Sequence, residues 1–171
     1  MKDTISGSPA RQPMPFWKVV LLAGLLVATL DIAAAIIQAL LNERKPLRMF
    51  QFIASGVFGK RSFSGGFAYG LYGLLFHYCI AWGWTWLYFR VYPAVNFLQK
   101  HRILAAIVFG LLIWTVMSRV VLPLSNTPPL PFKPKQAVIE MLVIFGTISL
   151  PLSFAAHAYY SRRVNRQELP V

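Results

Sequence analysis

Hydrophobic residues along this chain form four long blocks, separated by short polar or proline-rich segments. Each block reaches the roughly 20 apolar residues that an α-helix needs to span the hydrocarbon core of a membrane. We therefore predict an all-α protein, a four-helix transmembrane bundle, with spans at about residues 17–41, 66–92, 103–122 and 136–160. The content of 57% hydrophobic and 13% charged residues supports this prediction, because soluble domains carry more charge.

The segments outside these blocks complete the predicted organisation. Residues 1–15 are polar and contain three prolines, which predicts a flexible tail, and residues 162–171 form a basic tail. Residues 16–161 form a single transmembrane domain. Residues 46–58, between spans one and two, mix apolar and polar side chains over a length too short to span. This pattern predicts a short interfacial or re-entrant helix.

The first block has a second interpretation, as a secretory signal peptide. Lys18 lies at the start of an apolar core, and the alanines at positions 33–35 resemble a cleavage site. The acidic residue Asp31 just before that site, and the renewed apolar run at residues 36–41, argue against cleavage. We interpret the block as a membrane span.

One carboxylate, that of Asp31, lies near the middle of the first span. Its insertion costs about 2.5–3.5 kcal/mol, so it needs a polar partner. Asp31 lies about 14 residues into its span, and His77 lies about 14 residues from the end of a span that runs the opposite way. The two side chains fall at the same depth, and we predict that they form an intramembrane polar pair across spans one and two.

Three interpretations of this pair stay open. It is a structural hydrogen bond, typically worth about 0.6 kcal/mol in membrane bundles. Alternatively, it is a proton or ion relay, because histidine titrates near physiological pH and carboxylates recur in such pathways. A third interpretation is general acid–base chemistry on a lipid-like substrate.

Small residues recur at helical spacing on the faces that carry Asp31 and His77. Such stripes let two membrane helices approach closely. The predicted packing face consists of Gly24, Ala28, Ala35, Gly66, Gly70 and Gly73.

Other polar residues are placed near the membrane surfaces. Arg119, late in span three, and Glu140, early in span four, form a candidate interfacial ion pair. Lys60 and Arg61 lie in a flexible basic segment that lacks P-loop spacing, and they are either candidate lipid head-group contacts or part of an ordinary cationic loop.

The sequence favours a protein without cofactor or enzymatic activity, although it does not exclude an enzyme. His77 and His157 lie at different depths, which disfavours haem ligation between them. No serine–histidine–acid or zinc-binding spacing is found, so no catalytic, cofactor-binding or metal residues are predicted. The single cysteine, Cys79, permits no intramolecular disulfide.

The net charge of +12 indicates which partners to expect. The charge lies mainly at the edges of the apolar blocks, which favours a lipid bilayer with anionic lipids over nucleic acid. A homo-oligomer or a membrane-protein partner is also compatible with the small-residue faces. Slightly more Lys and Arg residues lie on the side of the termini, including Arg162 and Arg163, so we predict cytoplasmic termini.

Several short sequence segments resemble those of a known group of proteins. They are TLD at 29–31, FIASGVFGK at 52–60, LFHY at 75–78, and LPLS at 122–125 followed by a proline-rich link. Together they resemble a group of small, uncharacterised bacterial inner-membrane proteins, YagU-like in broad outline. The resemblance implies the bacterial cytoplasmic membrane as the location. It implies no activity and no catalytic residues.

These observations predict an integral inner-membrane protein to which the sequence assigns no biochemical activity. It is a compact bundle whose Asp31–His77 pair supports either packing or a proton-linked or small-solute transport role. The alternative is an interaction or assembly module that binds another membrane protein or anionic lipid. A lipid-modifying enzyme is the third possibility.

Overall fold

The computed structural model describes residues 14–129 and 131–167, and this part of the chain is helical without any strand. The predicted all-α class is therefore confirmed. Three helices are long and apolar enough to cross a membrane: Phe16–Leu41, Arg102–Leu124 and Pro134–Arg163. They correspond to the first, third and fourth predicted spans.

The second predicted span is also a helix, but it is more polar. The helices α1, Phe16–Leu41, and α3, Gly66–Val91, are each 26 residues long. At 1.5 Å per residue, such a helix is about 39 Å long, enough to span. Glycine, tyrosine, tryptophan and histidine residues lower the mean hydropathy of α3 and leave it outside the set of three apolar helices.

The helices α1 and α3 run antiparallel. Near the end of α3, Phe89 packs edge-on against Phe16 at the start of α1, with 6.3 Å between ring centroids. Earlier in α3, His77 contacts Ala28, further along α1. Residue numbers fall along one helix as they rise along the other, so the two helices lie side by side in opposite directions.

A helix of 13 residues, α2 at Pro46–Phe58, lies where the sequence predicts a short helix. The helix begins at Pro46. Proline is tolerated at this position because a backbone N–H in the first turn of a helix has no helical hydrogen-bond partner, so its absence costs nothing. Its last turn is held by Asn126, whose backbone N–H donates to the Gly56 carbonyl at 3.0 Å. The Asn126 side chain donates to the Val57 carbonyl at 3.1 Å. The link after the third span thereby fixes the end of α2.

The apolar helices Arg102–Leu124 and Pro134–Arg163 each contain a π-helical turn, which adds a residue to the turn and is frequent at functional sites. The remaining elements are the 3-10 helices Gly59–Phe63 and Tyr92–Ala94, α4 Asn96–Lys100, α5 Arg102–Val116, the π-turn Met117–Val121, α6 Leu122–Leu124, α7 Pro134–Ile144, the π-turn Phe145–Ser149 and α8 Leu150–Gln167.

The predicted tails are described only in part. Residues 1–13 and 168–171 lie outside the described residues. The basic segment that begins at residue 162 continues α8 as helix through Gln167, because no proline or glycine interrupts it before that residue.

The tightest core lies toward the end of the molecule that carries Phe16 and the end of α8. Tyr88, Phe89 and Leu152 are at most 1% exposed there. By contrast, many large apolar side chains along the long helices are exposed on the surface of the protein; Phe67, for example, is 71% exposed. Such extensive apolar exposure is costly in water and is expected for helices that face lipid.

Candidate functional site

The structure brings Asp31 and His77 together on facing sides of α1 and α3. Nε2 of His77 lies 4.0 Å from Oδ2 of Asp31, and the His77 and Asp31 side chains keep 13% and 18% of their surface exposed. This distance is too long for a hydrogen bond. It is short enough for a protonated His77 to attract the Asp31 carboxylate.

The hydrogen bond of His77 goes to the α1 backbone instead. Its Nε2 lies 3.0 Å from the carbonyl oxygen of Ala28, about one turn before Asp31. A carbonyl only accepts, so Nε2 carries the hydrogen, and Nδ1 is the nitrogen left to take up a proton. His77 is thus anchored beside Asp31 without consuming the hydrogen-bonding capacity of the carboxyl group.

A third residue, Thr147, supplies the direct hydrogen bond to Asp31. Its Oγ1 donates to Oδ1 of Asp31 at 2.9 Å and lies in the π-helical turn Phe145–Ser149. Sequence reasoning missed this residue, because a threonine in an apolar helix carries no signal beyond its polarity. The π-turn also alters which face of the helix Thr147 occupies, so a regular helical register does not predict the contact.

The Thr147 hydroxyl has two oxygen neighbours and one hydrogen. It lies 2.9 Å from Asp31 Oδ1 and 2.8 Å from the Val143 carbonyl oxygen, one turn earlier in its own helix. With Asp31 ionised, the hydroxyl donates to the carboxylate. With Asp31 protonated, the carboxyl donates to Thr147, and the hydroxyl donates to Val143. Thr147 therefore satisfies both protonation states of Asp31.

Two further contacts join α1 to α3 on either side of Ala28. The hydroxyl oxygens of Thr29 and Tyr78 are 3.0 Å apart. The indole Nε1 of Trp82 donates to the Leu21 carbonyl at 3.1 Å. Together with His77, these side chains of α3 fix the register in which Asp31 meets its neighbours.

The predicted packing face is divided between two partners. A Cβ at Gly24 would collide with the ring of Trp82 on α3, so this glycine does serve the contact between α1 and α3. Gly70 and Gly73 instead face α2: a Cβ on Gly70 would lie 2.6 Å from Cδ1 of Leu47, and one on Gly73 would meet the Phe50 backbone. The small stripes of α1 and α3 therefore do not pack directly against each other along their length.

The other members of that face differ in burial. Ala28 is fully buried, Ala35 is half-buried and Gly66 is exposed. Gly66 begins α3 with a φ of +62°, a conformation that suits glycine, and no atom lies within 4 Å of the position of its missing Cβ. Gly66 therefore serves the turn rather than helix packing.

Arg119 and Glu140 line one cavity, but they do not form the expected ion pair within 4.0 Å. The Arg119 guanidinium stacks over the Phe132 ring, 5.1 Å from its centroid. The Glu140 carboxylate accepts from Nε1 of Trp114 at 3.4 Å and from Nε2 of Gln136 at 3.3 Å. Arg119 and Glu140 therefore contact different neighbours and not each other, which corrects the predicted pairing.

Lys60 and Arg61 lie in the 3-10 helix Gly59–Phe63 and are both exposed. This position leaves them able to meet lipid head groups, and the head-group contact stays a prediction.

His157 belongs to a polar cluster separate from His77. Its Nδ1 lies 2.9 Å from the Tyr92 hydroxyl, and its Nε2 lies 3.1 Å from the Ser161 hydroxyl. Across the described ranges, no group of three or more His, Cys, Asp or Glu residues is arranged to hold a metal ion.

Comparison of the chain with protein-family models, with curated proteins and with solved structures found no match.

Proposed function

We propose that this chain is a multi-pass protein of the bacterial cytoplasmic (inner) membrane with four spans, α1, α3, α5–α6 and α7–α8. The antiparallel packing of α3 against α1 supports a membrane-spanning α3, because α3 lies alongside an apolar helix that is long enough to span. The polar side chains His77, Tyr78 and Trp82 of α3 each have a hydrogen-bond partner on α1. In this arrangement α2 lies at one membrane surface, and the termini are cytoplasmic.

Within this bundle, the proposed role is proton-linked, and Asp31 is the group that takes up and releases the proton. The observation that carries this proposal is the Thr147 hydroxyl, which lies within hydrogen-bond distance of both Asp31 and the Val143 carbonyl. A purely structural hydrogen bond needs a partner for only one protonation state. A proton-exchanging carboxyl group at membrane depth needs a partner for both, since an unsatisfied polar group is expensive there.

His77 supplies the electrostatic part of the site. It is the ionisable side chain within 4.0 Å of the Asp31 carboxylate in the described part of the chain. A protonated His77 attracts the Asp31 carboxylate at this distance, whereas a neutral His77 exerts no net charge–charge attraction. The pair thus brings two proton sites together on adjacent helices.

Infrared difference spectroscopy of the full-length protein in lipid tests whether Asp31 exchanges a proton. The intensity of the carbonyl stretch of a protonated carboxyl group should change as the pH is varied over the physiological range of about 5 to 8. Asp31→Asn should abolish that change, Thr147→Val should move its midpoint, and Thr147→Ser should preserve it. Thr115→Val, at an exposed threonine of α5, is the matched control. An Asp31 that keeps one protonation state throughout this range would contradict the proposal.

Proton uptake by proteoliposomes under an imposed potential tests the transport role itself. The wild-type protein should admit protons faster than empty liposomes, and Asp31→Asn should remove the difference. Equal flux through both proteins would rule out Asp31 as the proton carrier.

The interaction-module alternative has less support from the packing. Its expected docking surface includes Gly70 and Gly73, and both face α2 within this chain. A partner would have to bind another surface.

A further inference from the structure

A second polar site lies at the end of the molecule opposite the termini. A cavity of about 320 Å³ opens between the end of the apolar helix Arg102–Leu124, the start of the apolar helix Pro134–Arg163 and the turn after α1. Its volume falls within the range of small-molecule sites. The lining residues that matter here are Arg44, Trp114, Arg119, Phe132, Lys133 and Glu140.

The charges in this cavity are unbalanced. Arg44, Arg119 and Lys133 contribute three cations, and Glu140 contributes one carboxylate. In the described part of the chain, none of these cations lies within 4.0 Å of a carboxylate oxygen. Like charges gathered around one space repel each other, and an anion placed there would relieve the repulsion.

The side chains around the cavity are held by other contacts. Arg119 stacks on the Phe132 ring, which orients its guanidinium without using its N–H groups. Glu140 is held by Trp114 and Gln136. The donors of Arg119 therefore remain for a ligand, and a guanidinium fork suits a phosphate group.

The geometry points to a binding site for the phosphate group of an anionic phospholipid. Two apolar helices, Arg102–Leu124 and Pro134–Arg163, frame the cavity at their adjoining ends. For helices that span a bilayer, these ends lie at the level of the lipid head groups. This site is separate from the Asp31 cluster and does not depend on the proton-linked role.

The test uses the full chain in an uncharged detergent, titrated with phosphatidylglycerol and followed by native mass spectrometry. One molecule of phosphatidylglycerol should bind with higher affinity than phosphatidylcholine. Arg119→Gln should weaken that binding by about fivefold, the effect of one cation near a membrane surface. Arg61→Gln removes the same charge from the same end of the protein, outside the cavity, and should have a smaller effect.

A second pair of variants tests the cavity independently, in case Arg119→Gln does not fold. Lys133→Gln, at an exposed cavity residue, should weaken binding more than Lys60→Gln, at an exposed residue of the 3-10 helix. Glu140→Gln should strengthen binding, because it removes the negative charge that opposes the phosphate. Equal losses in the cavity variants and their controls would indicate diffuse attraction and overturn the site.

Competition identifies the source of the phosphate. Phosphatidylglycerol should stay bound in the presence of inorganic phosphate or glycerol phosphate. Displacement by either soluble anion would overturn the lipid assignment and make a soluble phosphate compound the ligand.

Discussion

The Thr147 hydroxyl lies 2.9 Å from Oδ1 of Asp31, and this contact joins residues that are 116 positions apart in the chain. It connects α1 to the π-helical turn of the last apolar helix. The neighbouring His77 reaches the same carboxyl group from α3 at 4.0 Å. Three helices thus meet at the one carboxylate near the middle of α1.

Removal of the Thr147 hydroxyl should weaken the contact between α1 and the last apolar helix and so destabilise the protein. We expect Thr147→Val to lower the free energy of unfolding in detergent by about 0.6 kcal/mol, and by no more than about 2 kcal/mol, the range for such bonds in membrane bundles. The effect should largely vanish in an Asp31→Leu background, since the partner is then absent. Thermal unfolding of the two single variants and the double variant measures this coupling. An undiminished cost of Thr147→Val in that background would show that the hydroxyl acts through another group.

A methyl group at Gly73 should displace α2. Its Cβ would meet the Phe50 backbone, which moves only with the whole helix, so we expect a loss of about 1–3 kcal/mol in the free energy of unfolding. Gly83→Ala, in the same helix, is the control because its Cβ meets nothing within 4 Å. That change should be neutral or stabilising, by up to about 1 kcal/mol, through helix propensity. Comparable losses at the two positions would contradict the close contact between α2 and α3.

The four-span arrangement predicts opposite sides for the two ends of α3. In a Cys79→Ala background, single cysteines at Ser64 and Asn96 should react with a membrane-impermeant maleimide from opposite sides of the membrane. The cysteine at position 96 should share its side with one placed at Arg163 in the same background. Labelling of positions 64 and 96 from one side would show that α3 does not cross.

Loss of the Asn126 side chain should loosen the end of α2. Asn126→Ala removes the hydrogen bond to the Val57 carbonyl, worth about 0.5–1.5 kcal/mol. Backbone amides near the end of α2 should then exchange with solvent faster, as measured by hydrogen–deuterium exchange. Asn96→Ala, at an exposed position in α4, should leave that exchange unchanged. Similar exchange in both variants would show that the Asn126 side chain does not hold the end of α2.

The position of the candidate site along the helices is readable in the sequence. The helical rise per residue is constant, so counting from the ends of two apolar blocks puts Asp31 and His77 at one depth. The structure brings them within 4.0 Å. Counting does not reveal that His77 bonds the Ala28 carbonyl, because that choice depends on the rotation of α3 about its axis.

The glycine pattern likewise predicts part of the packing, but not which helix is the partner. Small residues at helical spacing indicate that something packs closely, and Gly70 and Gly73 do have close neighbours. The neighbour is α2, because the short connection after α1 folds this helix against the first half of α3. Small side chains permit close approach by any helix, so the pattern does not identify the partner.

Local sequence is sufficient to establish the helical class, three apolar helices of spanning length and a carboxylate, that of Asp31, near the middle of the first. These properties follow from local composition and helical period, which require no knowledge of other elements. Contacts between distant helices, by contrast, place Thr147 against Asp31 and stack Arg119 on Phe132, apart from Glu140. Both outcomes depend on helix rotation and on π-helical turns that shift the register, and these arise from packing between distant segments.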